Sequence, residues 1–207
     1  MAASSSRGPK QSSPLTWTMM NVATWNVRGL NRRDHQVAVA DLVGEFRLHF
    51  IGLLETRVSP LNYARIQNIV LPRWSWFNDT AGPGNRIWIA WDSAYIDVDV
   101  LNVGEQFVHC RVFIGQLHEH ILVTVAYGAN DIITRRELWH ALDSLSDQID
   151  VPWLVCGDFN AVLDDSEICG TAGDTSSLWR SFGLSREHWT SNSTYARGVV
   201  HLAQLQL

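Results

Sequence analysis

The segment WLVCGDFN at residues 153–160 decides which fold the chain adopts. It begins as an apolar run typical of a strand buried within a sheet, but it ends on two polar side chains, Asp158 and Asn160. Polar groups that follow a buried strand most often form the next turn. Asp158-Phe159-Asn160 is by itself a common turn sequence, so its meaning depends on the rest of the chain.

Three other apolar runs also end on polar residues, and these ends are Asn26 in TWNVRGLN, Glu55 in HFIGLLET, and Tyr127 with Asn130 in ILVTVAYGAN. Taken singly, each is compatible with a cap, a turn or a surface side chain. Four such ends, all at the C-terminal side of their strands, predict a shared cleft at one edge of the sheets. The asparagine and the arginine of TWNVRGLN then belong to that cleft rather than to the strand.

The acidic residues at these ends indicate a cation site. Carboxylates that lie close together repel each other unless a cation lies between them. Hard oxygen ligands from one or two carboxylates, completed by water and substrate phosphate, are what Mg²⁺ prefers. We therefore predict that Glu55 and Asp158 face the same divalent ion, although Glu55 alone is more often a surface acid.

The order of the predicted elements favours a layered fold. An apolar stripe predicts a helix over residues 33–47, and a second helical pattern ends at Pro72. Four β-rich runs within residues 86–128 predict successive antiparallel strands. Thr134 and Glu137 form a capping-box pattern that begins a third helix. This order predicts a four-layer α/β sandwich, with two packed mixed β-sheets flanked by helices.

Composition and charge exclude several classes of protein. The 207 residues are 46% hydrophobic, which suits one domain with a sizeable core. No apolar run is long enough to span a bilayer, and no Gly-rich nucleotide-binding loop occurs. The three cysteines lack metal-ligand spacing, and their odd number argues against a disulfide framework. The net charge of −5 means that nucleic-acid binding needs a local basic patch or a metal ion.

The motifs TWNVRGLN, IGLLET, VAYGAN and WLVCGDFNAVLDDSE, in this order, resemble those of the endonuclease/exonuclease/phosphatase superfamily. The stretch from PRWSWFNDTAGPGNRIWIAWDS through RRELWHAL is similar to the endonuclease domain of plant LINE-type retrotransposons. The resemblance covers residues 20–177. We expect residues 1–19 to be a disordered leader and residues 178–207 to be a divergent tail.

The resemblance implies a metal-dependent reaction on DNA, with Mg²⁺ as the metal and Mn²⁺ as the alternative. Glu55 would be the principal metal ligand, and Asn26 would help to position the metal and the scissile phosphate. Arg28 would add a phosphate contact, although an outward salt bridge fits this residue equally well.

The resemblance also implies a catalytic group around the phosphate. Tyr127 would assist the attacking water or the oxyanion, with Asn130 nearby. Asp158 would orient or deprotonate that water, and Asn160 would hydrogen-bond the phosphate. These roles agree with the general chemistry of metal-assisted phosphoryl transfer.

The chain departs from the family pattern after residues 167–170. Members of the superfamily end with a further strand and a Ser-Asp-His motif, and none of the eight histidines here follows a Ser-Asp pair. We therefore expect a sandwich that lacks its last strand or strands. Either the reading frame is truncated or shifted after residue 177, or His188 or His201 has been recruited from the tail. The first explanation is favoured, because a lone tail histidine is usually a surface residue.

Three functions remain open at this point. The first is a LINE-type DNA endonuclease whose activity is impaired or lost in this chain. The second is a phosphomonoesterase acting on a small phosphate ester, which the acidic isoelectric point of about 5.9 favours. The third is a non-catalytic retroelement remnant. We expect an intracellular monomer without membrane association, in the nucleus by analogy with the family.

Overall fold

Strands and helices alternate at both ends of the chain, and consecutive strands fill its middle. A computed structural model describes residues 19–78, 86–115, 117–161 and 200–206. The predicted leader up to residue 18, most of the predicted tail and His188 lie outside the described residues. The strands are β1 Met19–Asn26, β2 Phe50–Leu54, β3 Ser75–Asn78, β4 Ile87–Trp91, β5 Ile96–Gly104, β6 Phe107–Ile114, β7 Glu119–Tyr127, β8 Trp153–Asp158 and β9 Val200–Gln206. The helices are α1 Arg33–Glu45, α2 Tyr63–Val70 and α3 Ile132–Ser146, with a short 3₁₀ helix at Pro60–Asn62.

The described strands form two mixed sheets. The first has the order β3-β4-β2-β1-β9, and the second has the order β5-β6-β7-β8. Two neighbouring pairs are parallel, β1 with β2 and β7 with β8, and each is connected through a helix, α1 or α3. The other neighbours are antiparallel. None of the described helices combines the length and the apolarity needed to cross a membrane.

Strand alternation divides the apolar side chains between two kinds of core. In β2, Phe50 and Leu54 lie between the sheets, whereas Ile51 and Leu53 pack with residues of α1 and α2. All five residues of β2 are buried, because this strand is covered on both faces. On the other outer side, α3 packs against the second sheet through Leu138.

The two packed sheets with helices on both outer sides confirm the predicted α/β sandwich. Two strands differ from expectation. The four-residue strand β3 was not predicted, because SWFN is short and only partly buried. The strand β4 pairs with β2 in the first sheet instead of with β5, and a turn in which the Asp92 carbonyl accepts the N–H of Tyr95 at 3.0 Å leads from it into the second sheet.

A further strand lies within the segment predicted to be a divergent tail. The strand β9 pairs antiparallel with β1, from Met19 opposite Gln206 to Trp25 opposite Val200. Since the free edge of β1 supplies the backbone partners, a segment without a strong apolar pattern can pair there. The first sheet therefore contains a strand that follows β8 in the sequence, although we expected the sandwich to lack its last strand or strands.

The cap of α3 differs from the predicted capping box. Asp131 is the N-cap, and its Oδ2 accepts hydrogen bonds from the backbone N–H and the hydroxyl of Thr134, both at 2.8 Å. The sequence pattern placed the start of the helix three residues late. Its first turn contains Ile132 and Ile133, which are exposed and therefore outside the apolar stripe of the helix.

The sheets approach each other closely at Gly52 in β2. A Cβ atom at this position would lie 2.7 Å from Val125 Cγ1 and 3.0 Å from Thr24 Cγ2. We expect Gly52→Ala to lower the free energy of unfolding by about 1–3 kcal/mol, as over-packing of a tight core does. A lower Tm in thermal denaturation would show this loss.

Gly44→Ala in α1 is the matched control for this variant. No heavy atom lies within 4 Å of a Cβ placed at Gly44, and alanine favours a helix more than glycine. The Tm of this control should stay constant or rise. Equal losses of Tm in both variants would contradict the close approach of the sheets at Gly52.

The buried His109 in β6 makes stability depend on pH. Its Nδ1 lies 2.7 Å from Thr124 Oγ1, which also accepts the indole N–H of Trp153 at 2.8 Å. Burial lowers the pKa of His109 below its usual 6.5 in the folded chain. The unfolded chain therefore binds a proton below pH 6.5 that the folded chain does not, and stability falls as the pH drops.

His109→Gln removes this ionisable group while keeping a polar side chain beside Thr124. Between about pH 7.5 and about pH 5.5, its Tm should fall less than that of the unmodified chain. Thermal denaturation across this range measures the difference. Parallel curves of Tm against pH would rule out a contribution from His109.

Candidate active site

The C-terminal ends of both parallel strand pairs meet at one place. In the first sheet, Asn26 is opposite Leu54, and Glu55 follows directly. In the second sheet, Tyr127 is opposite Asp158. Since parallel strands end at the same edge and the two sheets pack face to face, these ends come together. Four side chains, those of Asn26, Glu55, Tyr127 and Asp158, form one hydrogen-bonded group, here called the acid–amide cluster.

The carboxamide of Asn26 is the centre of the acid–amide cluster. Its Nδ2 donates to Glu55 Oε1 at 2.9 Å and to Asp158 Oδ2 at 3.0 Å. Its Oδ1 accepts the backbone N–H of Arg28 at 3.2 Å, which fixes the orientation of the amide. One buried side chain therefore connects the carboxylates of both sheets and donates to each of them.

Hydrogen bonds decide the ionisation of Glu55. Burial raises the pKa of this carboxyl, but the hydrogen bonds from Asn26 and Tyr127 and the charge of Arg57 outweigh burial and hold its pKa below the usual value. The hydroxyl of Tyr127 donates to Glu55 Oε1 at 2.8 Å. Burial, followed by this bond and the Glu55 charge, raises the pKa of Tyr127 to about 12. At neutral pH the cluster thus contains an ionised Glu55 and a protonated Tyr127.

Asn160 connects the end of β8 to the end of β7. Its backbone N–H donates to Asp158 Oδ1 at 3.0 Å, and its Nδ2 donates to the carbonyl of Gly128 at 2.5 Å. Both oxygens of Asp158 therefore accept a hydrogen bond, one from Asn26 and one from Asn160. The carboxylate is held in one orientation beside Tyr127.

The backbone at the site adopts an unusual conformation. Of the six described residues other than glycine with a positive φ, four lie in or next to the acid–amide cluster: Arg28, Glu55, Arg57 and Asn160, with φ between 46° and 52°. Side chains with a Cβ rarely occupy this left-handed region, which costs free energy unless surrounding contacts enforce it. Such concentration of backbone strain is typical of a functional site.

Three arginines lie next to the cluster and are here called the arginine rim: Arg28, whose backbone N–H binds Asn26, Arg57 and Arg86. Arg57 forms an ion pair with Glu55 Oε2, and the guanidinium of Arg86 lies 5.7 Å from the centre of the Tyr127 ring. The side chain of Arg28 is exposed and makes no ion pair with any described residue. Arg57 and Arg86 were not predicted from the sequence, although Arg57 stands only two residues after Glu55.

Asn130 is the predicted site residue that the described hydrogen bonds do not join to the cluster. It is exposed in the loop after β7, and its backbone carbonyl accepts a hydrogen bond from Arg135 at 3.2 Å. His201 occupies the position opposite Thr24 in the pairing of β9 with β1.

The donor set of the cluster fits a hard divalent cation. Within the described residues, no group of three or more His, Cys, Asp or Glu side chains converges. The acid–amide cluster offers two carboxylates, and the carboxamide of Asn26 faces both of them through its nitrogen. Mg²⁺ usually takes one or two protein carboxylates and completes its shell with water and phosphate. Zn²⁺ prefers nitrogen and sulfur ligands, which the cluster lacks.

The fold and the site define an α/β-sandwich protein with acid and amide side chains at the strand ends of both sheets. The chain belongs to the Endonuclease/Exonuclease/phosphatase family, whose sequence model matches residues 23–202. This match covers the whole acid–amide cluster and ends within β9. No curated protein matches the chain in sequence.

Solved structures share the fold at low identity. An endonuclease/exonuclease/phosphatase family protein from Bacteroides thetaiotaomicron superposes with a TM-score of 0.56 at 13% identity, covering 70% of this chain and 65% of its own. The mannosyl-6-phosphatase of the same species gives 0.55 at 13% identity, with coverages of 71% and 68%. TDP2 from D. rerio, complexed with a single-strand DNA product, gives 0.54 at 10% identity, with coverages of 91% and 84%. The chain therefore spans about two thirds of the length of the two Bacteroides proteins.

Tyr127→Phe tests the electrostatics of the cluster. Removing the hydroxyl that donates to Glu55 Oε1 should raise the pKa of Glu55, because one of the bonds that stabilise its ionised form is lost. Carboxyl-carbon NMR across an acid titration measures this pKa directly. Tyr95→Phe, at an exposed tyrosine, is the control and should leave the pKa of Glu55 unchanged. An unchanged pKa in both variants would refute the assigned bond.

Proposed function

We propose that this protein hydrolyses phosphodiester bonds of DNA in a metal-dependent reaction, as a LINE-type endonuclease domain does. The observation that supports this most is the acid–amide cluster with the arginine rim beside it. In a chain with a net charge of −5, three arginines beside two carboxylates form a local basic surface at a candidate cation site. Such a combination suits a polyanionic substrate, whose phosphates need positive partners.

Glu55 is the proposed principal ligand of Mg²⁺, or of Mn²⁺ in its place. Its Oε1 is engaged by Asn26 and Tyr127, whereas its Oε2 pairs with the exposed Arg57 and would hold the ion once that pair opens. Asn26 holds the two carboxylates at a fixed separation and helps to position the ion and the phosphate. When bound, a divalent ion polarises a phosphoryl oxygen and neutralises charge that develops there.

Asp158 is the proposed group that orients the attacking water. Each of its oxygens accepts one hydrogen bond and keeps a further lone pair for water. Tyr127, with its pKa raised to about 12, remains protonated at neutral pH and acts as a hydrogen-bond donor rather than a base. Asn160, Asn130 and Arg28 are proposed to contact the phosphate or its neighbours, since a carboxamide and a guanidinium both donate to phosphate oxygens.

The substrate class, the oligomeric state and the cellular location are parts of the same proposal. The superfamily resemblance of the motifs and the DNA product in the complex of TDP2 from D. rerio support a nucleic-acid substrate. We further propose that the protein acts as a monomer, and in the nucleus, where a retroelement endonuclease meets its target.

Nicking of supercoiled plasmid DNA tests the proposal. Glu55→Gln and Asp158→Asn should each reduce Mg²⁺-dependent nicking by about 100-fold or more, because each removes a charge needed at the metal or the water. Chelation of the metal should abolish nicking in the unmodified chain.

Two isosteric variants of remote acids serve as controls. Asp97→Asn in β5 and Glu119→Gln at the start of β7 change exposed carboxylates, and Glu119 lies at the opposite end of its strand from Tyr127. Both should retain nicking, and equal Tm values would confirm that all four variants fold. Full nicking by the Glu55 variant would reject the assignment of the site.

A phosphomonoesterase is the second candidate. The acidic net charge and the fold shared with the mannosyl-6-phosphatase of B. thetaiotaomicron favour it. Comparing hydrolysis of plasmid or abasic DNA with hydrolysis of inositol phosphates separates the two activities. Hydrolysis of neither substrate with Mg²⁺ or Mn²⁺ would indicate a non-catalytic retroelement remnant.

A further inference from the structure

The ion pair between Arg57 and Glu55 occupies the carboxylate oxygen that the rest of the cluster leaves open. Asn26 and Tyr127 both donate to Oε1, whereas the guanidinium of Arg57 binds Oε2. The side chain of Arg57 is 65% exposed and that of Glu55 is 15% exposed, so the pair lies at the outer opening of the cluster. A ligand that binds Glu55 Oε2 therefore competes with Arg57.

The backbone that carries Arg57 is fixed although its side chain is exposed. The carbonyls of Glu55 and Thr56 accept the N–H groups of Gly29 and Leu30, both at 2.8 Å. The carbonyl of Arg57 accepts the side-chain N–H of Asn31 at 2.7 Å. Three hydrogen bonds thus hold the left-handed backbone at Arg57 against the loop after β1, and only the side chain is free to move.

We infer that Arg57 is a resident counter-ion of Glu55 that a divalent cation displaces, and that the released guanidinium then binds a substrate phosphate. Its first step rests on the proposed role of Glu55 as a metal ligand, and its second step rests on the proposed phosphate substrate. Arg57 is therefore the partner of Glu55 in the metal-free state, and it becomes a phosphate ligand once substrate is bound.

Charge and geometry both support an exchange between the two cations. The guanidinium and a divalent ion compete for the same oxygen, Oε2 of Glu55, and repel each other when close. The Arg57 side chain is largely exposed, so water hydrates its guanidinium when the pair opens and the cation takes over the charge of Glu55. The planar guanidinium matches the geometry of a phosphate group, which a released Arg57 meets at the same opening.

Metal binding by the protein alone tests the first step. Arg57→Gln should tighten the binding of Mn²⁺, followed by electron paramagnetic resonance, by about threefold to tenfold, because it removes a competing positive charge. Arg57→Lys keeps the charge and should stay closer to the unmodified chain. Arg111→Gln is the matched control, because Arg111 forms an exposed ion pair with Asp99 away from the site and its loss should leave Mn²⁺ affinity unchanged.

Binding of a DNA duplex in the presence of Ca²⁺ tests the second step. Arg57→Gln should weaken binding of the duplex about threefold to tenfold, more than Arg111→Gln, because a phosphate contact is lost. Tighter Mn²⁺ binding with weaker DNA binding supports the full inference.

Each of the other outcomes rejects one step of the inference. Unchanged or weaker Mn²⁺ binding by Arg57→Gln, including no binding by any variant, rejects the counter-ion role whether or not the protein nicks DNA. Tighter Mn²⁺ binding with unchanged DNA binding rejects the phosphate role. Failure of plasmid nicking with tighter Mn²⁺ binding would reject the proposed function and leave the counter-ion role supported.

Discussion

The double hydrogen bond of the Asn26 carboxamide is the interaction on which the site depends. Two carboxylates from different sheets lie within reach of one amide nitrogen, and that nitrogen donates to both. The neutral amide offsets part of the repulsion between the two carboxylates. A lysine in its place would compete with a cation for them. The strand ends that carry these groups are held by parallel pairing, so the rigid part of the fold sets the spacing of the acids.

The site combines this rigid centre with an exposed outer layer. Asp158 and Glu55 are fixed by hydrogen bonds from buried or partly buried neighbours, whereas the arginine rim is exposed. Left-handed backbone at Glu55 and Arg57 shows that the fold maintains an unfavourable conformation there. The acidic groups are thus held by their neighbours, whereas the positive groups around them face solvent.

Much of the sandwich and the centre of the site could be predicted from local sequence. A strand buried on both faces, such as β2, has a continuous apolar run, and a polar residue at its end is conspicuous. Pairing partners have no such local signature, which is why the assignment of β4 to the first sheet and the pairing of β9 were missed. The rim residues Arg57 and Arg86 were missed for a related reason, since their sequence context is that of any surface arginine.

The bond between Asn26 and Asp158 joins residues 132 positions apart. Closing so long a loop costs considerable chain entropy, and contacts of this kind form late when folding proceeds from local to distant pairings. During synthesis the N-terminal strand pair emerges well before β8, so a nascent chain carries Glu55 without its second acid. The acid–amide cluster is therefore complete only when the two βαβ units dock, and a partly synthesised chain carries one half of it.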